Sequence, residues 1–186
     1  MKRLFVGLPV SIEVKKALQN TSDYLKQFDS ILKIVPPKNY HITLKFLGKT
    51  DGDVYKKIHE DFSELDFGIP PINISIKGLG AFPRVNNATV IWSGLRTDES
   101  MNTLFNSVEN FFTKHGYKKE NRKFNPHLTL ARVRNKKKIP RELVDHIIKN
   151  SETDYIDSAF QEIVLFESEL TSGGPKYIRL FTKNLV

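Results

Sequence analysis

Polar and apolar residues alternate at residues 41–48, which read His-Ile-Thr-Leu-Lys-Phe-Leu-Gly. Such alternation predicts a half-buried strand, and the glycine marks its end. Alternate side chains of a strand share a face, so one face is predicted to be polar and the other apolar. The polar face carries His41, Thr43 and Lys45, and the apolar face carries Ile42, Leu44 and Phe46.

A second copy of this pattern occurs at residues 127–130, His-Leu-Thr-Leu, where a histidine and a threonine again share a face. The two histidines are 127 − 41 = 86 residues apart, and other segments recur at that offset. The recurring pairs are apolar strands at 4–8 and 90–94, helices that begin near Ser11 and near Thr97-Asp98, charged helices at 53–65 and 139–151, and strands at 69–79 and 155–165. We therefore predict one domain, residues 1–186, made of two interleaved repeat-like lobes of about residues 1–86 and 87–186.

Turn-forming residues complete this outline. Ser172-Gly173-Gly174-Pro175 predicts a turn, and residues 176–182 are expected to form a closing strand after it. Pro140 is predicted to open the second charged helix. Residues 80–87 and 114–125 are predicted to be loops.

The composition indicates a packed globular protein without cysteine chemistry. Hydrophobic residues make up 39% of the 186 residues, 13 residues are Phe, and the number of Cys is zero. A disulfide framework, a thiolate metal site and a cysteine nucleophile are therefore excluded. No apolar run approaches the roughly 20 residues of a membrane span, and the short apolar stretch after Met1 differs from a signal peptide. We therefore expect a cytoplasmic protein with no membrane partner.

The charge balance is basic, with 29 Lys and Arg against 21 Asp and Glu, a net charge of +8. Such a balance favours polyanionic partners, although it also serves solubility alone. The same two interpretations apply to a basic run after the second motif, which either follows the phosphates of an RNA strand or is a solvated loop. Its members are Arg132, Arg134, Lys136, Lys137, Lys138 and Arg141.

Two histidine strands that face each other across a cleft can carry out acid–base chemistry. Because the ordinary pKa of histidine is about 6.5, one imidazole can act as a base and the other as an acid near neutral pH. The two threonines supply neutral donors for oxygens that gain charge, and Lys45 supplies a cation. This set suits a phosphodiester, in which one group loses a proton as it attacks and another gains one as it leaves.

Other uses of the two motifs fit the sequence less well. A metal site would need carboxylate or cysteine ligands, and neither motif contains an acidic residue. The sequence also has no Gly-x-Ser-x-Gly motif, no Walker A loop and no Gly-x-Gly-x-x-Gly turn. Two ordinary strand histidines remain the structural alternative, but a pair that recurs in register with a repeat argues against it.

The chain resembles the two-histidine (2H) phosphoesterase superfamily, whose mark is a pair of His-x-Thr/Ser-x motifs. Within it, the chain is similar to the RNA 2′,3′-cyclic phosphodiesterases, first known as 2′-5′ RNA ligases. The resemblance rests on residues 3–6, on residues 35–48 around the first motif, on Gly80-Ala81-Phe82-Pro83, on residues 124–132 around the second motif, and on residues 165–168 with Tyr177. It implies an α+β, bilobal, pseudo-two-fold fold in which two antiparallel sheets, flanked by helices, surround a central cleft.

The resemblance also implies metal-independent opening of a 2′,3′-cyclic phosphate to a 2′-phosphomonoester, with no cofactor. His41 would donate a proton to the departing 3′ oxygen, and His127 would activate water. Thr43 and Thr129 would bind phosphate oxygens. The candidate substrate-binding residues are Lys45, Phe46, Arg132 and Tyr177. By strict alternation, however, Arg132 lies off the His127 face, and core packing is the alternative role for Phe46.

The expected substrate is an RNA or oligonucleotide that ends in a 2′,3′-cyclic phosphate, or a small cyclic nucleotide, and we expect a monomer. Two alternatives stay open on sequence alone. One is a physiological 2′-5′ RNA ligase, which uses the same residues because ligation is the reverse reaction with a 5′-hydroxyl in place of water. The other is a non-catalytic RNA-binding module that keeps the fold.

Overall fold

The computed structural model describes residues 1–172 and 174–186, with every side chain in these ranges except that of Lys136. Within these ranges the chain forms nine strands and five α-helices. In chain order they are β1 (Lys2–Pro9), α1 (Ile12–Ala17), α2 (Gln19–Lys26), β2 (Leu32–Ile34), β3 (His41–Thr50), α3 (Gly52–Glu64), β4 (Ile72–Phe82), β5 (Val90–Thr97), α4 (Glu99–Lys114), β6 (His127–Val133), α5 (Arg141–Lys149), β7 (Asp154–Phe160), β8 (Glu162–Thr171) and β9 (Gly174–Asn184).

The strands form an antiparallel sheet in the order β7-β4-β5-β6-β3-β1-β8-β9, and the short β2 pairs with β6. The predicted α+β class is therefore confirmed. The two predicted sheets are the two halves of this sheet, and in the described part of the chain one residue pair joins them. That pair is Ile42 of β3 opposite Leu128 of β6, and both side chains are fully buried.

Each half of the sheet takes strands from both halves of the sequence. Strand β4 pairs with β5 and β7, whereas β8 pairs with β1 and β9. Helices α1 and α5 pack against β7 and β4, and α3 and α4 pack against β9 and β3. Each half of the sheet therefore needs strands from both halves of the sequence: β4 comes from the first half of the sequence and pairs with β5 and β7 of the second, and β1 comes from the first half and pairs with β8 of the second.

Helices α1 and α4 begin where the sequence predicts. The Ser11 hydroxyl accepts a hydrogen bond from the Val14 amide at the start of α1, and the Asp98 carboxylate accepts one from the Ser100 amide at the start of α4. Helix α4 then buries an apolar stripe at helical spacing against the sheet. The stripe comprises Met101, Leu104, Val108 and Phe112.

Several predicted boundaries are wrong. The strand expected at residues 155–165 is two strands, β7 and β8, which separate at Gln161 because they lie in different halves of the sheet. Strand β4 continues to Phe82, into the segment expected to be a loop, because Ala81 and Phe82 pair with Ile91 and Val90. The start of β9 at Gly174 is earlier than expected, and the predicted turn at 172–175 includes Gly173, which lies outside the described residues.

Two further details differ from the prediction. Strand β2 was not predicted, because three residues are too few to show an alternation. Pro140 is the N-cap residue of α5 rather than its first residue. Among the described residues, no helix has the length and apolar character needed to cross a membrane.

Candidate active site

The two His-x-Thr motifs lie side by side on neighbouring antiparallel strands. Because Ile42 is opposite Leu128, the same register places His41 beside Thr129 and Thr43 beside His127. The four polar side chains share the face opposite to the buried Ile42 and Leu128, with the histidines on one diagonal. In a regular antiparallel pair, residues on such a diagonal are about 7–8 Å apart and their Cβ atoms are somewhat closer, so both imidazoles are within reach of one phosphate group.

Backbone carbonyl groups orient both imidazoles. The Nδ1 atom of His41 is 2.7 Å from the carbonyl oxygen of Asn39, and the Nδ1 atom of His127 is 2.8 Å from that of Asn125. Since a carbonyl can only accept, each Nδ1 carries the hydrogen, and Nε2 is left as the nitrogen that can exchange a proton with a substrate. In His41, Nε2 lies 3.1 Å from the Thr43 hydroxyl.

Aromatic side chains surround each imidazole. The Phe5 ring lies 4.8 Å from the His41 ring between centroids, and the Tyr177 ring meets it edge-on at 5.2 Å. The Phe82 ring lies edge-on to His127 at 4.9 Å, and Trp92 lies behind Phe82 at 5.1 Å. These rings cover part of each imidazole, and both histidines are half-buried.

Desolvation by this burial lowers the pKa of both histidines below their ordinary 6.5. The positive charge of Arg132 lowers the pKa of both further, and the charge of His127 also lowers that of His41. The Asn39 and Asn125 carbonyls act in the opposite direction, because they stabilise the protonated rings. Burial raises the pKa of the Tyr177 phenol, so it remains a neutral O–H donor.

A β-bulge follows the threonine in both motifs. Val6 is opposite Lys45 and Gly7 is opposite Thr43, so Leu44 is the extra residue of β3. In β6, Ile91 is opposite Ala131 and Trp92 is opposite Thr129, so Leu130 is the extra residue. The two bulges stand at equivalent positions of the repeat.

The bulges reverse the faces of the residues that follow. Phe46 is 67% exposed, and its ring lies 6.0 Å from that of Phe5 between centroids. The alternative prediction, that Phe46 packs in the core, is therefore wrong. Arg132, at the equivalent position of β6, is exposed and close enough to act on both histidines. Strict alternation therefore fails at the two positions where it argued against a site role.

Lys45 does not share the face of His41 and Thr43, which corrects the prediction from alternation. It is 7% exposed, and its ammonium donates to both carboxylate oxygens of the buried Glu109 at 2.7 and 2.9 Å. It also donates to the Lys118 carbonyl at 3.0 Å, while Glu109 accepts from the Glu120 amide at 2.8 Å. Lys45 and Glu109 thus hold residues 118–120, the start of a loop beside His127.

Two grooves open beside the motif strands, and His127 lines one of them. The aromatic groove, of about 480 Å³, is lined among others by Phe5, Phe46, Arg132 and Tyr177. The basic groove, of about 1000 Å³, is lined by Thr43, Phe46, Phe82, His127 and the loop residues 118–125. Phe46 lies between the two grooves and lines both.

Two of the six residues in the basic run after the second motif have a structural role. Arg134 donates through Nε to the carbonyls of Asp29 and Leu32, and Lys137 donates to that of Ser30. Both side chains thereby hold the segment between α2 and β2. Arg132 is the member that lines a groove beside the histidines, and the side chain of Lys136 lies outside the described part.

The other histidines lie on helices away from the motifs. His115 is the C-cap residue of α4 and lies 3.3 Å from the Asp61 carboxylate, and His146 stacks on Tyr24. His59 lies edge-on to Phe181. No three histidine, aspartate or glutamate side chains converge as metal ligands among the described residues.

Comparison with known proteins places this chain in a family. The sequence model of the LigT-like phosphoesterases matches residues 8–92 and 95–177, and each match contains one His-x-Thr motif. This chain belongs to the LigT-like phosphoesterase family. It is 35% identical to an RNA 2′,3′-cyclic phosphodiesterase of Methanocaldococcus jannaschii, over 94% of this chain and 96% of that protein. It is 34% identical to another of that name from Archaeoglobus fulgidus, over 96% and 99%.

Solved structures of similar proteins share the fold of this LigT-like chain. The protein TT0787 of Thermus thermophilus superposes with a TM-score of 0.77 at 24% identity, covering 98% of this chain and 97% of the other. LigT of E. coli in complex with 3′-AMP superposes with a TM-score of 0.75 at 22% identity, covering 99% and 98%. At these identities the superpositions show the fold alone.

Some residues that shape the candidate site were not found from the sequence. Asn39 and Asn125 orient the histidines through their backbone carbonyls. The sequence signal that could have indicated them is an asparagine two residues before each motif histidine. Gly7 makes room for the His41 ring, because a Cβ there would lie 3.2 Å from His41 Cδ2 and 2.8 Å from the Ile42 carbonyl oxygen. No local pattern pointed to Gly7 or to Trp92, because both act through strand pairing.

Replacement of Lys45 by methionine tests whether its role is structural. We expect Lys45→Met to lower the free energy of unfolding by about 3–5 kcal/mol, because it leaves the Glu109 carboxylate buried without its partner. Urea unfolding at neutral pH measures this. The matched control is Lys26→Met, which breaks an exposed pair with Asp23 and should change the stability by less than about 1 kcal/mol. If both variants lower the free energy of unfolding by the same small amount, the buried pair of Lys45 and Glu109 does not stabilise the fold.

Proposed function

We propose that this protein hydrolyses 2′,3′-cyclic phosphate ends of RNA to 2′-phosphomonoesters, by acid–base catalysis with two histidines. The observation that carries the proposal is the pairing of β3 with β6, which brings both His-x-Thr motifs to one face with each Nδ1 held by a backbone carbonyl. The names of the family relatives support the same reaction.

The first half of the reaction is the attack of water on the cyclic phosphorus. His127 accepts a proton from the water at Nε2 as the new P–O bond forms, since its Nδ1 already donates to Asn125. A lowered pKa suits this role, because it keeps the imidazole neutral and able to accept a proton at neutral pH.

The second half is the departure of the 3′ oxygen. His41, protonated at Nε2, donates this proton to the 3′ oxygen as the P–O3′ bond breaks, and the phosphate remains on the 2′ oxygen. Cleavage leaves His41 neutral and His127 protonated, so exchange with solvent restores the starting state. A bound anionic phosphate favours the protonated form of His41 and offsets its desolvation.

The remaining polar groups bind the phosphate oxygens. The Thr43 and Thr129 hydroxyls lie on the same face as the imidazoles and donate to the non-bridging oxygens as these gain charge. The Arg132 guanidinium, turned to this face by the bulge at Leu130, adds a fixed positive charge. Lys45 has no part in this proposal, because its ammonium is committed to Glu109.

The aromatic groove suits the terminal nucleoside. Phe46 presents an exposed ring, and the half-buried Tyr177 lies against His41. Stacking of a base on an aromatic ring is worth about 1–3 kcal/mol and depends little on base identity. Phe46 and Tyr177 are therefore proposed as substrate-binding residues, with Arg132 beside the phosphate.

Incubation with RNA that ends in a 2′,3′-cyclic phosphate tests the proposal, with phosphorus NMR to assign the product. We expect a 2′-phosphate, and we expect His41→Ala and His127→Ala each to lower kcat/KM at least about 100-fold. Turnover should persist in EDTA, since the proposed steps use side chains alone.

The matched control is His59→Ala, which removes an imidazole from α3 and should retain turnover. A 3′-phosphate product, or activity that EDTA removes and a metal restores, would contradict the proposed mechanism. RNA binding without any turnover would instead favour a non-catalytic module.

The pH dependence follows from the lowered pKa values. With one imidazole required neutral and the other protonated, kcat/KM should be bell-shaped, with its maximum at the mean of the two pKa values and hence on the acidic side of pH 6.5. Since Arg132 lowers both values, Arg132→Gln should move the whole profile to higher pH.

Measurement of kcat/KM between about pH 4.5 and 9 checks the position of this profile. Arg141→Gln is the control, because its side chain is 92% exposed on α5 and should leave the maximum in place. A maximum above pH 6.5 in the unmodified protein, or no shift on loss of Arg132, would refute the assignment of both limbs to these histidines.

A further inference from the structure

The wall of the basic groove next to His127 consists of residues 118–125, whose charge was not singled out from the sequence. Its basic residues are Lys118, Lys119, Arg122 and Lys123, and its acidic residue is Glu120, a net charge of 4 − 1 = +3. The four basic residues are exposed, and all of them line the groove. The Glu120 carboxylate accepts a hydrogen bond from the Arg122 amide, so it is turned toward its own loop.

The loop is held in place at both ends. At its start, Lys45 and Glu109 bind the Lys118 carbonyl and the Glu120 amide. At its end, the Phe124 ring stacks on Phe105 of α4, with centroids 4.2 Å apart and an interplanar angle of 9°. A buried ion pair and an aromatic stack thus fix a segment that carries exposed positive charge, which is more than a solvated loop requires.

The groove has the features of a single-strand binding surface. Proteins that bind single strands combine a positively charged groove with aromatic faces, and this groove adds Phe46 and Phe82 to its basic wall. Its volume of about 1000 Å³ is at the upper end of the range of about 300–1,000 Å³ for pockets that enclose a small ligand. The basic wall and the aromatic rings are therefore the features that match a nucleic-acid strand.

The position of the groove also fits a strand rather than a free mononucleotide. It begins at Thr43 and His127, where the cyclic phosphate is proposed to lie, and continues along the loop. A 2′,3′-cyclic phosphate stands at the 3′ end of an RNA, so the rest of the strand must leave the reaction centre on its 5′ side. The basic run that follows the second motif is less suited, because Arg134 and Lys137 bind backbone carbonyls of the segment between α2 and β2.

We propose that residues 118–125 bind the backbone phosphates of the RNA strand that precedes the cyclic end, and that the protein is thereby selective for oligonucleotides over mononucleotides. This inference extends the proposed function, on which it rests for the position of the cyclic end. Lys119, Arg122 and Lys123 each neutralise a phosphate, and the loop is held ready by Lys45 and Glu109.

The test compares Lys119→Gln/Arg122→Gln/Lys123→Gln with a matched control, Lys138→Gln/Arg141→Gln/Lys149→Gln. Both variants lose three exposed positive charges, and the control charges lie away from the groove. The probe is a fluorescent ten-nucleotide RNA with a 2′-phosphate at its 3′ end, which is not turned over, and anisotropy measures its Kd between 50 and 200 mM salt. Each lost phosphate contact on a single strand lowers the slope of log affinity against log salt by about 0.7.

The loop variant should therefore show a slope smaller by about 2, so that wild-type affinity falls about 20-fold more than that of the variant across this range. The control should keep the wild-type slope. In hydrolysis, the ratio of kcat/KM for a cyclic-ended ten-nucleotide RNA to that for 2′,3′-cyclic AMP should fall at least about tenfold in the loop variant alone. Unchanged thermal unfolding verifies that both variants are folded.

Equal slopes in the loop variant and the wild type, equal losses in the loop and control variants, or no saturable RNA binding by the wild type would each overturn the inference. A wild type that binds the RNA with the expected slope but opens no cyclic phosphate would refute the proposed function and retain the binding surface. A wild type that hydrolyses both substrates with the same kcat/KM would retain the function and refute the strand selectivity.

Discussion

The pairing of Ile42 with Leu128 is the contact on which the arrangement of the histidines depends. Both side chains are fully buried, and their strands carry His41, Thr43, His127 and Thr129 on the opposite face. In the described part of the chain the two halves of the sheet are joined at this pair, and residues that follow it in β3 and β6 line the two grooves. The reaction centre thus lies where the two half-sheets meet.

The two bulges give the halves the same backbone and different chemistry. After Leu44 and Leu130, the next residues turn inward and the following ones turn toward the cleft. The inward pair is Lys45 and Ala131, and the outward pair is Phe46 and Arg132. One half therefore offers an aromatic ring and the other a cation, while the inward lysine is free to hold a loop from inside the protein. Two strands with the same backbone course therefore present two different groups, a ring and a cation, to a substrate whose base and phosphate also differ.

Desolvation and charge act together on the imidazoles. Partial burial among aromatic rings disfavours the charged form of His41 and His127, and the positive charge of Arg132 disfavours it further, so the pKa of both imidazoles is lowered. A site of this kind favours neutral imidazoles until an anion arrives. The phosphate group then offsets the charge of Arg132 and stabilises one imidazolium, so substrate binding itself would create the acid that the proposed reaction requires.

The amino-acid sequence by itself determined what depends on neighbours a few residues away: the strand pattern around each histidine, the helix starts at Ser11 and Asp98, and the recurrence of His-x-Thr. Tertiary structure decided the roles of Lys45, Phe46 and Arg132, because a bulge is defined by the partner strand, and β1 and β5 lie about 35–40 residues away in the chain. It also decided the break between β7 and β8, whose residues read as one apolar run but belong to different halves of the sheet. Alternation gives the face of a side chain only while the pairing register is unbroken, and the register is a property of two strands together.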